Sequence, residues 1–314
     1  MIRTFQAGDA KHEAAIYNAA AGRLPGFRPV KVEDVHRATS GHGFDPRTRF
    51  YAEDDGKVVG YAGFETPGSR VCYPMCRPGH EKMARPLFAA VLKAMAQRKV
   101  TRAFAAVHGD WADHVKFFED HGFTRSRDII NFTQSIGDLP TMFQRHGLNV
   151  SLVTADDIPA IEKMAPQVLR LGGRPLADYL LRNPRFPADA VYVRRSRNGA
   201  PVGVGILIDD ESFLDVDELD PRSPVLRFGA FGTEGLAAKR VNGLFSFLTA
   251  PGTDSVLIGQ DLLWYGTSRL ESTSFTVLAA QVPSDAPHLV GFYERYFRKQ
   301  ACFPILERGI GPAS

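Results

Sequence analysis

The sequence predicts an α+β protein made of two similar halves in tandem. Its 314 residues exceed the length of a common single domain, which is roughly 150 residues. One segment near the middle of the chain recurs near its end, and each half contains one β-hairpin signal. The composition, with 44% hydrophobic and 23% charged residues, is that of a globular protein rather than a disordered or fibrous one.

The repeat is clearest over residues 103–119 and 278–294, which align without a gap at an offset of 175 residues. The segments read AFAAVHGDWADHVKFFE and LAAQVPSDAPHLVGFYE and share six identical residues. Each predicts an apolar strand, a polar turn containing an aspartate (Asp110 or Asp285), and an amphipathic helix with an aromatic pair. We therefore divide the chain into two domains, residues 1–140 and 141–314.

The other elements follow in the same order in both halves. Residues 4–9 and 152–157 each predict a strand that leads, through an acidic residue, into a helix. Asp55-Gly56 and Asn198-Gly199 lie between β-rich runs, which is the strongest local sign of a hairpin. The remaining expectations are fourth strands at 70–76 and 225–231, long helices at 81–98 and 236–248, and extra segments in the second half at 209–224 and 250–274.

Charge and cysteine content exclude several classes of protein. A net charge of +3 gives little support to nucleic acid as a partner. The three cysteines, Cys72, Cys76 and Cys302, form neither a disulfide framework nor a zinc-site pattern, so we expect a reducing cytoplasm and no metal. There is no apolar run of the ~18–20 residues that a membrane span needs, so we expect no membrane partner.

The end of the repeat carries a resemblance to a known family. Phe292-Tyr293-Glu294-Arg295-Tyr296-Phe297 resembles the aromatic-Tyr-Glu-x-x-Gly-Phe signature of the GNAT superfamily of acyl-CoA-dependent N-acyltransferases. Residues 117–123, FFEDHGF, match the final Gly-Phe of that signature but lack its tyrosine. The order of elements in both halves is similar to that of the family. The resemblance implies two tandem GNAT-like domains, each a mixed, mostly antiparallel sheet flanked by helices.

The resemblance also implies a place for acetyl-CoA. In the family, backbone N–H groups after the fourth strand bind the CoA pyrophosphate, and pantetheine lies where the fourth strand separates from the fifth. In the second half the implied cofactor-binding residues are Phe231, Gly232, Gly235, Lys239, Arg240, Val241, Asn242, Gly243 and Asp285. The alternative is a glycine-punctuated turn with a solvated Lys–Arg pair.

The corresponding loop of the first half departs further from the family pattern. It is shorter, and two prolines remove N–H donors that a phosphate would need. We expect a degenerate copy here, although Arg77, Lys82 and Arg85 still offer cations for a phosphate.

The resemblance also implies a catalytic acid. The tyrosine of the family signature corresponds to Tyr293 in this sequence, and it would protonate the departing CoA thiolate. Its first-half counterpart, Phe118, has no proton to give, and this difference favours the second domain as the catalytic one. Tyr293 has an alternative interpretation as part of an aromatic helix face packed on the sheet. Glu234 is the candidate base or a loop charge, and Asp285 contacts the cofactor or caps the helix near Ala286.

We therefore expect an acetyl-CoA-dependent N-acetyltransferase that moves an acetyl group directly to an amine of a small molecule or peptide. The second domain would be catalytic, the first structural, and the protein a monomer or a homodimer. One alternative is a non-catalytic acyl-CoA-binding sensor or scaffold, which the irregular loops of both halves favour. Another is a tandem transferase that uses aminoacyl-tRNA, which would require a broad basic face.

Overall fold

The chain divides into two compact units in a computed structural model, which describes residues 1–27, 29–40, 44–65, 69–139, 148–164, 176–182, 186–208, 243–270 and 277–311. Unit 1 contains Met1–Ser126 and the C-terminal residues from Pro304 onward, whereas unit 2 contains the described residues between Arg127 and Phe303. The expected boundary at residue 140 thus differs from the division of the structure. Two long strands, Thr124–Ser135 and Arg298–Gly309, each contribute residues to both units.

Unit 1 follows the predicted element order. Its strands are β1 (Ile2–Thr4), β2 (Arg49–Asp54), β3 (Lys57–Gly63), β4 (Met75–Cys76), β5 (Arg102–Ala106), the start of β6 (Thr124–Ser135) and the end of β12 (Arg298–Gly309). Its helices are α1 (Asp9–Ala21), α2 (Val32–Ser40), α3 (Ala84–Gln97) and α4 (Ala112–Asp120). β1, β2, β3 and β4 form an antiparallel sheet in that order, and β5 pairs antiparallel with β12.

Unit 2 contains a larger sheet. Its further elements are β7 (Val150–Leu152), α5 (Ile158–Glu162), α6 (Leu176–Leu181), β8 (Val191–Arg195), β9 (Pro201–Ile208), β10 (Gly243–Thr249), α7 (Ser255–Ser268), β11 (Val277–Pro283) and α8 (Pro287–Tyr296). The strand order is β7-β8-β9-β10-β11-β6, and the first half of β12 follows β6. β10 and β11 are parallel, whereas β7 and β8, β8 and β9, β9 and β10, and β11 and β6 are antiparallel. The predicted mixed, mostly antiparallel sheets flanked by helices are confirmed.

Both predicted hairpins are present. β2 and β3 meet across Asp55-Gly56, where both residues have positive φ, and β8 and β9 meet across the turn that contains Asn198-Gly199. A positive φ is tolerated best by glycine and by Asn or Asp, which is why these dipeptides predict the turns. The long helix expected at 81–98 in the first half is α3, which begins at Ala84 after a short 3-10 segment, Glu81–Met83.

The prediction of a long helix at 236–248 is wrong for residues 243–248, the part of that range that the structure describes. Gly243–Thr249 is β10, a strand in which Phe245 and Phe247 alternate with Ser246, and the long helix of this half is α7, at Ser255–Ser268. The helix begins there because the Asp254 carboxylate accepts the Leu257 N–H at 3.0 Å as an N-cap. The segment expected to be extra material after residue 250 therefore contains a regular element of the fold. The fourth strand expected at Val225–Phe231 lies outside the described residues.

The core of unit 2 is tightly packed against α7, which yields the first prediction. A Cβ at Gly259 would lie 2.8 Å from ring atoms of both Phe247 and Phe292, whereas a Cβ at Gly291 in α8 meets nothing within 4 Å. Alanine favours a helix over glycine by about 1 kcal/mol, but overpacking a core costs about 1–3 kcal/mol. We expect Gly259→Ala to lower the free energy of unfolding and Gly291→Ala to leave it unchanged or raise it.

Urea unfolding of the two variants measures both effects under the same conditions. Because each variant replaces a helical glycine with alanine, their helix-propensity gains largely cancel in the comparison. Equal free energies of unfolding for the two variants would contradict the close packing of α7 on the aromatic side chains.

Candidate functional site

A gap opens in unit 1 where the chain leading into β4 separates from β5. Val71 N–H donates to the Phe104 carbonyl at 2.8 Å, and Phe104 N–H donates to the Ser69 carbonyl at 3.1 Å, so the strands begin side by side. Five residues later, Met75 and Cys76 pair with Tyr61 and Gly60 of β3, and the described pairings do not join them to β5. Backbone groups cannot bond across the separation, so side chains fill or line it.

This gap is part of a small cavity of about 40 Å³ that opens to solvent. The pocket is lined by residues from α1, β2, β3, the segment before β4, the end of β5 and the start of α4, all within unit 1. Its aromatic lining consists of Tyr61, Tyr73, Trp111 and His114, and its charged lining of Glu13, Arg49, Glu65 and Arg70. A mostly apolar pocket with a few converging polar groups is typical of a small-molecule site.

Glu13 is a fully buried carboxylate in the wall of this pocket. It lies on α1 with a relative exposure of 0%, and the Tyr51 hydroxyl donates to its Oε2 at 2.6 Å. The Arg49 Nη1 lies 4.0 Å from its Oε1, which is longer than a hydrogen bond. Burial, and then the negative charge of Glu13, raise the pKa of Tyr51, so the phenol keeps its proton and holds the carboxylate in place.

Tyr73 and His114 form another part of the lining. Their rings stack with centroids 3.6 Å apart, and the edge of Trp111 meets His114 at 5.0 Å. The Trp111 indole is fixed in turn, because its N–H donates to the Pro25 carbonyl at 2.8 Å. Burial, and then nearby Cys76, Asp113 and Glu81, raise the pKa of Tyr73, so its phenol is protonated at neutral pH.

His114 has a buried ring nitrogen without a hydrogen-bond partner. Its relative exposure is 6%, and its Nδ1 makes no hydrogen bond within the described part of the chain. Burial lowers its pKa from 6.5 to about 4, so the imidazole is neutral at pH 7. A buried polar atom that is left unpaired costs about 1–3 kcal/mol, so this nitrogen in the pocket wall destabilises the folded protein unless a water molecule or a ligand pairs with it.

The loop from β4 to α3 has the chemistry of an anion site. Gly79 adopts φ 88° and its N–H donates to the Glu81 carboxylate at 2.9 Å. Hydrogen bonds from the N–H groups of Glu81 and Gly79 lower the pKa of Glu81, so this exposed carboxylate is ionised where an external anion would bind. Lys82 and Arg85 are exposed beside the start of α3. The loop therefore offers backbone donors and two cations to a phosphate, in competition with Glu81.

The corresponding separation in unit 2 is filled by aromatic side chains. β10 pairs with β11 only through Gly243–Leu278 and Leu244–Ala279, within the residues described. The side chains of an aromatic cluster, which we define as Phe132, Phe245, Phe247, Phe292, Tyr293 and Phe297, are all buried there. Their ring centroids lie as close as 4.7 Å, between Phe247 and Phe292. Aromatic pairs at these distances stabilise a core beyond the area that they bury.

Tyr293, the sequence-predicted acid, belongs to this cluster. It is 1% exposed, its ring stacks on Phe132 with centroids 5.6 Å apart, and its hydroxyl donates to the Phe245 carbonyl at 3.4 Å. Burial raises the pKa of Tyr293 well above its ordinary value. The structure therefore places the hydroxyl against the backbone of β10, and its role as an acid stays a prediction.

The other sequence-predicted site residues are not brought together with Tyr293 by any described contact. Gly243 is the first residue of β10 rather than part of a loop. Asp285 accepts a hydrogen bond from Arg127 Nη1 at 3.3 Å, and α8 begins after it with Ala286 at the N-cap position. The remaining predicted residues lie outside the described residues: Phe231, Gly232, Glu234, Gly235, Lys239, Arg240, Val241 and Asn242.

Sequence reasoning missed Glu13, Arg49, Tyr73 and the role of His114 in the pocket. These residues lie on α1, β2, α4 and the segment before β4, and they form no motif of fixed spacing. One signal was available in the sequence. Glu13 lies on the face of α1 that also carries apolar residues, and an acidic residue on a buried helix face needs a polar partner. Within the described ranges, no three or more His, Cys, Asp or Glu residues are grouped to hold a metal, and no helix is long and apolar enough to cross a membrane.

The depressed pKa of His114 predicts a specific loss of stability in acid. Between pH 6.5 and about 4 the unfolded chain binds a proton at His114 that the folded chain excludes. The free energy of unfolding therefore falls as the pH drops through this window, by up to about 3 kcal/mol from this residue. We expect His114→Leu, which copies the equivalent Leu289 of the repeat, to remove that part of the pH dependence.

Urea unfolding near pH 7 and near pH 4 measures the effect, with His36→Gln, which removes an exposed histidine, as the matched control. An equally steep loss of stability in acid for His114→Leu and for the unmodified protein would contradict a neutral, buried imidazole.

Comparison with known proteins supports the fold. No protein-family model and no curated protein matches the chain. Among solved structures, a GCN5-related N-acetyltransferase from Sphaerobacter thermophilus aligns with a TM-score of 0.65 and 14% identity, covering 100% of this chain and 96% of that one. A tandem GNAT protein from the clavulanic acid biosynthesis pathway aligns with a TM-score of 0.56 and 13% identity, covering 100% and 99%.

A GCN5-related glucosamine N-acetyltransferase region of a fungal multi-domain β-N-acetylglucosaminidase aligns with a TM-score of 0.65 and 14% identity. That alignment covers 98% of this chain and 38% of the fungal one. Identities of 13–14% establish a shared fold and not a shared activity. Over nearly its whole length, this chain has the tandem fold of the GNAT N-acetyltransferases.

Proposed function

We propose that the protein is an acetyl-CoA-dependent N-acetyltransferase, acting on an amine of a small molecule or peptide, and that the reaction takes place in unit 1. The observation that carries the proposal is the pocket in the separation between β4 and β5. It has a buried carboxylate, a protonated phenol and an unpaired imidazole nitrogen in its wall. The corresponding separation in unit 2 contains the aromatic cluster instead.

Acetyl-CoA supplies the acetyl group as a thioester. Lys82, Arg85 and the N–H groups of the loop after β4 would hold its phosphates, with Glu81 displaced from Gly79. The unpaired Nδ1 of His114 in the gap supports a ligand with a hydrogen-bonding group at this depth. The backbone N–H groups and the two cations of this loop therefore suit the phosphates of acetyl-CoA.

The amine must lose a proton before or during attack on the carbonyl carbon. Glu13 is the base that the pocket offers, and Tyr51 orients it through a 2.6 Å hydrogen bond. The new C–N bond forms as the C–S bond breaks, and the sulfur takes a proton from the Tyr73 hydroxyl. The raised pKa of Tyr73 keeps the phenol protonated before the reaction, so the proton is present to be shared with the sulfur as negative charge develops there.

The next prediction concerns which half of the chain binds acetyl-CoA. It compares two double variants that each lose two positive charges. Lys82→Ala/Arg85→Ala removes the two exposed cations beside α3, and Lys239→Ala/Arg240→Ala removes the pair that the sequence predicts for the second half. We expect calorimetric titration of acetyl-CoA to show at least tenfold weaker binding for the first variant and unchanged binding for the second. The reverse result would place the donor in the second half, and the absence of binding to the unmodified protein would overturn the acetyltransferase itself.

The catalytic groups give a prediction about rates. General acid–base catalysis contributes about 10²–10⁴-fold, so we expect Glu13→Gln and Tyr73→Phe each to lower kcat by roughly 100-fold or more. Tyr293→Phe distinguishes the two halves, because a comparable loss there would favour the second-half acid over Tyr73. Release of the free CoA thiol over a panel of amines measures the rate.

Binding of acetyl-CoA without thiol release for any amine would favour the sensor or scaffold over the enzyme. Thermal unfolding of each variant separates loss of catalysis from loss of the folded protein. The outcome that supports the proposal is a lower rate with an unchanged unfolding midpoint for Glu13→Gln and Tyr73→Phe.

A further inference from the structure

The pocket of unit 1 is too small for a whole substrate, but it has room for one small group. Its volume is about 40 Å³. By comparison, a water molecule occupies about 30 Å³ of the liquid, and a benzene ring fits an engineered cavity of about 150 Å³. A methyl group is close to a water molecule in size, and each further methylene of a chain needs a similar space. The pocket therefore admits the end of a short chain and excludes a longer one.

Part of the pocket wall is apolar and closely packed. Val71, Met75, Ala106 and Val107 line it, and all but Ala106 are buried. The Trp111 ring adds to this surface and is held in place by the hydrogen bond from its N–H to the Pro25 carbonyl. A packed core yields little to an added methylene, so this wall sets an upper limit on the group that enters.

His114 gives the same wall a hydrogen-bonding group. Its Nδ1 has no hydrogen-bond partner in the described part of the chain, and burial is the cause of its lowered pKa. The imidazole is therefore neutral at pH 7 and carries one N–H. The ring is held between Tyr73, which stacks on it at 3.6 Å, and the edge of Trp111 at 5.0 Å. A neutral imidazole in a fixed position can polarise a carbonyl group by donating a hydrogen bond.

We propose that the pocket receives the acetyl group of acetyl-CoA and that the His114 imidazole donates its N–H to the acetyl carbonyl oxygen. This inference rests on the proposed function of the same pocket and names the group that selects the acyl chain. The carbonyl oxygen becomes negative when the amine attacks the carbonyl carbon, and it loses that charge when the C–S bond breaks. A donor already fixed beside this oxygen lowers the barrier between the two states.

The stacked rings of His114 and Tyr73 divide the work on the thioester. The sulfur and the carbonyl oxygen are bonded to the same carbon, so two rings in contact can reach one atom each. His114 keeps its proton throughout, because it only donates a hydrogen bond to the oxygen. The proton that the sulfur takes comes from the Tyr73 hydroxyl, as in the proposed reaction.

Calorimetric titration of CoA, acetyl-CoA, propionyl-CoA and butyryl-CoA tests the proposal without relying on turnover. The four compounds share every phosphate and the pantetheine arm, so the ratios of their affinities isolate the acyl group. We expect acetyl-CoA to bind about fivefold more tightly than CoA, as one added hydrogen bond provides. Propionyl-CoA should bind at least about tenfold more weakly than acetyl-CoA, because one methylene is worth roughly 10–200-fold in a closed apolar pocket.

Two variants change the size of the pocket in opposite directions. Val107→Ala enlarges it and should bring propionyl-CoA close to the affinity of acetyl-CoA. Ala106→Val fills it and should reduce acetyl-CoA to the affinity of CoA. Val91→Ala is the matched control, because Val91 is a buried valine of the same core that does not line the pocket. It should leave the ratios between the acyl chains unchanged.

A third variant tests the hydrogen bond itself. His114→Leu should remove the preference for acetyl-CoA over CoA, leave the affinity for CoA unchanged, and lower kcat by about 100-fold or more. The carbonyl stretching frequency of bound acetyl-CoA should be higher in this variant than in the unmodified protein, a change that a purely structural role would not cause. His114→Gln keeps an N–H donor and should restore part of both effects. His121→Leu is the matched control, because His121 follows α4 and lies outside the lining.

Equal affinities of acetyl-CoA, propionyl-CoA and butyryl-CoA for the unmodified protein would overturn the proposal. Ratios that stay the same in Val107→Ala, Ala106→Val and His114→Leu would do so as well, and would leave the pocket to a water molecule. Acetylation of an amine by a protein with either result would keep the proposed function and contradict only the acyl site. The expected ratios without thiol release for any amine would keep the acyl site and contradict the transferase, whereas no binding of acetyl-CoA would overturn both.

Discussion

The separation of two neighbouring strands, β4 and β5 in unit 1 and β10 and β11 in unit 2, is the constraint on which each unit depends. A sheet that opens gives up backbone hydrogen bonds, and the side chains in the opening must compensate. In unit 1 the opening is bounded by Glu13, Tyr73 and His114 and holds a pocket. In unit 2 the aromatic cluster closes it, and the Tyr293 hydroxyl bonds to a β10 carbonyl one residue beyond the last pairing with β11. The same opening is thus lined by polar and aromatic side chains around a cavity in one unit and filled by an aromatic core in the other.

The polar groups in the wall of the unit 1 cavity lower the stability of the fold. The Glu13 carboxylate is buried and needs the Tyr51 hydroxyl to compensate for lost water, and the His114 nitrogen remains unpaired. In unit 2 the corresponding opening contains apolar rings instead. They pack so closely that even a methyl group at Gly259 would clash with them.

The sequence predicts the fold well where the signal is local. The hairpin turns, α3, and the repeated strand–turn–helix units all follow from residues close together in the chain. The prediction of a helix at 236–248 was wrong for residues 243–248, because small and apolar residues there fit a helical pattern as well as a strand. The alternation of Phe245 and Phe247 and the capping Asp254 were the better signals, since they place a strand first and a helix start ten residues later.

The site is less predictable because its character depends on packing rather than on residue type. In the repeat, His114 and Phe118 of α4 correspond to Leu289 and Tyr293 of α8. The two positions are one helical turn apart on the same face, and at these positions each helix has one polar and one apolar side chain. The phenol at Tyr293 favoured the second half as catalytic, since a tyrosine can donate a proton and a phenylalanine cannot. The structure adds the partner of each group: the Tyr293 hydroxyl is satisfied by the backbone, whereas the His114 Nδ1 in the pocket is not. A polar group that is hydrogen-bonded inside the protein can be retained for packing alone, whereas an unpaired one beside a cavity can still accept a hydrogen bond from a molecule that enters.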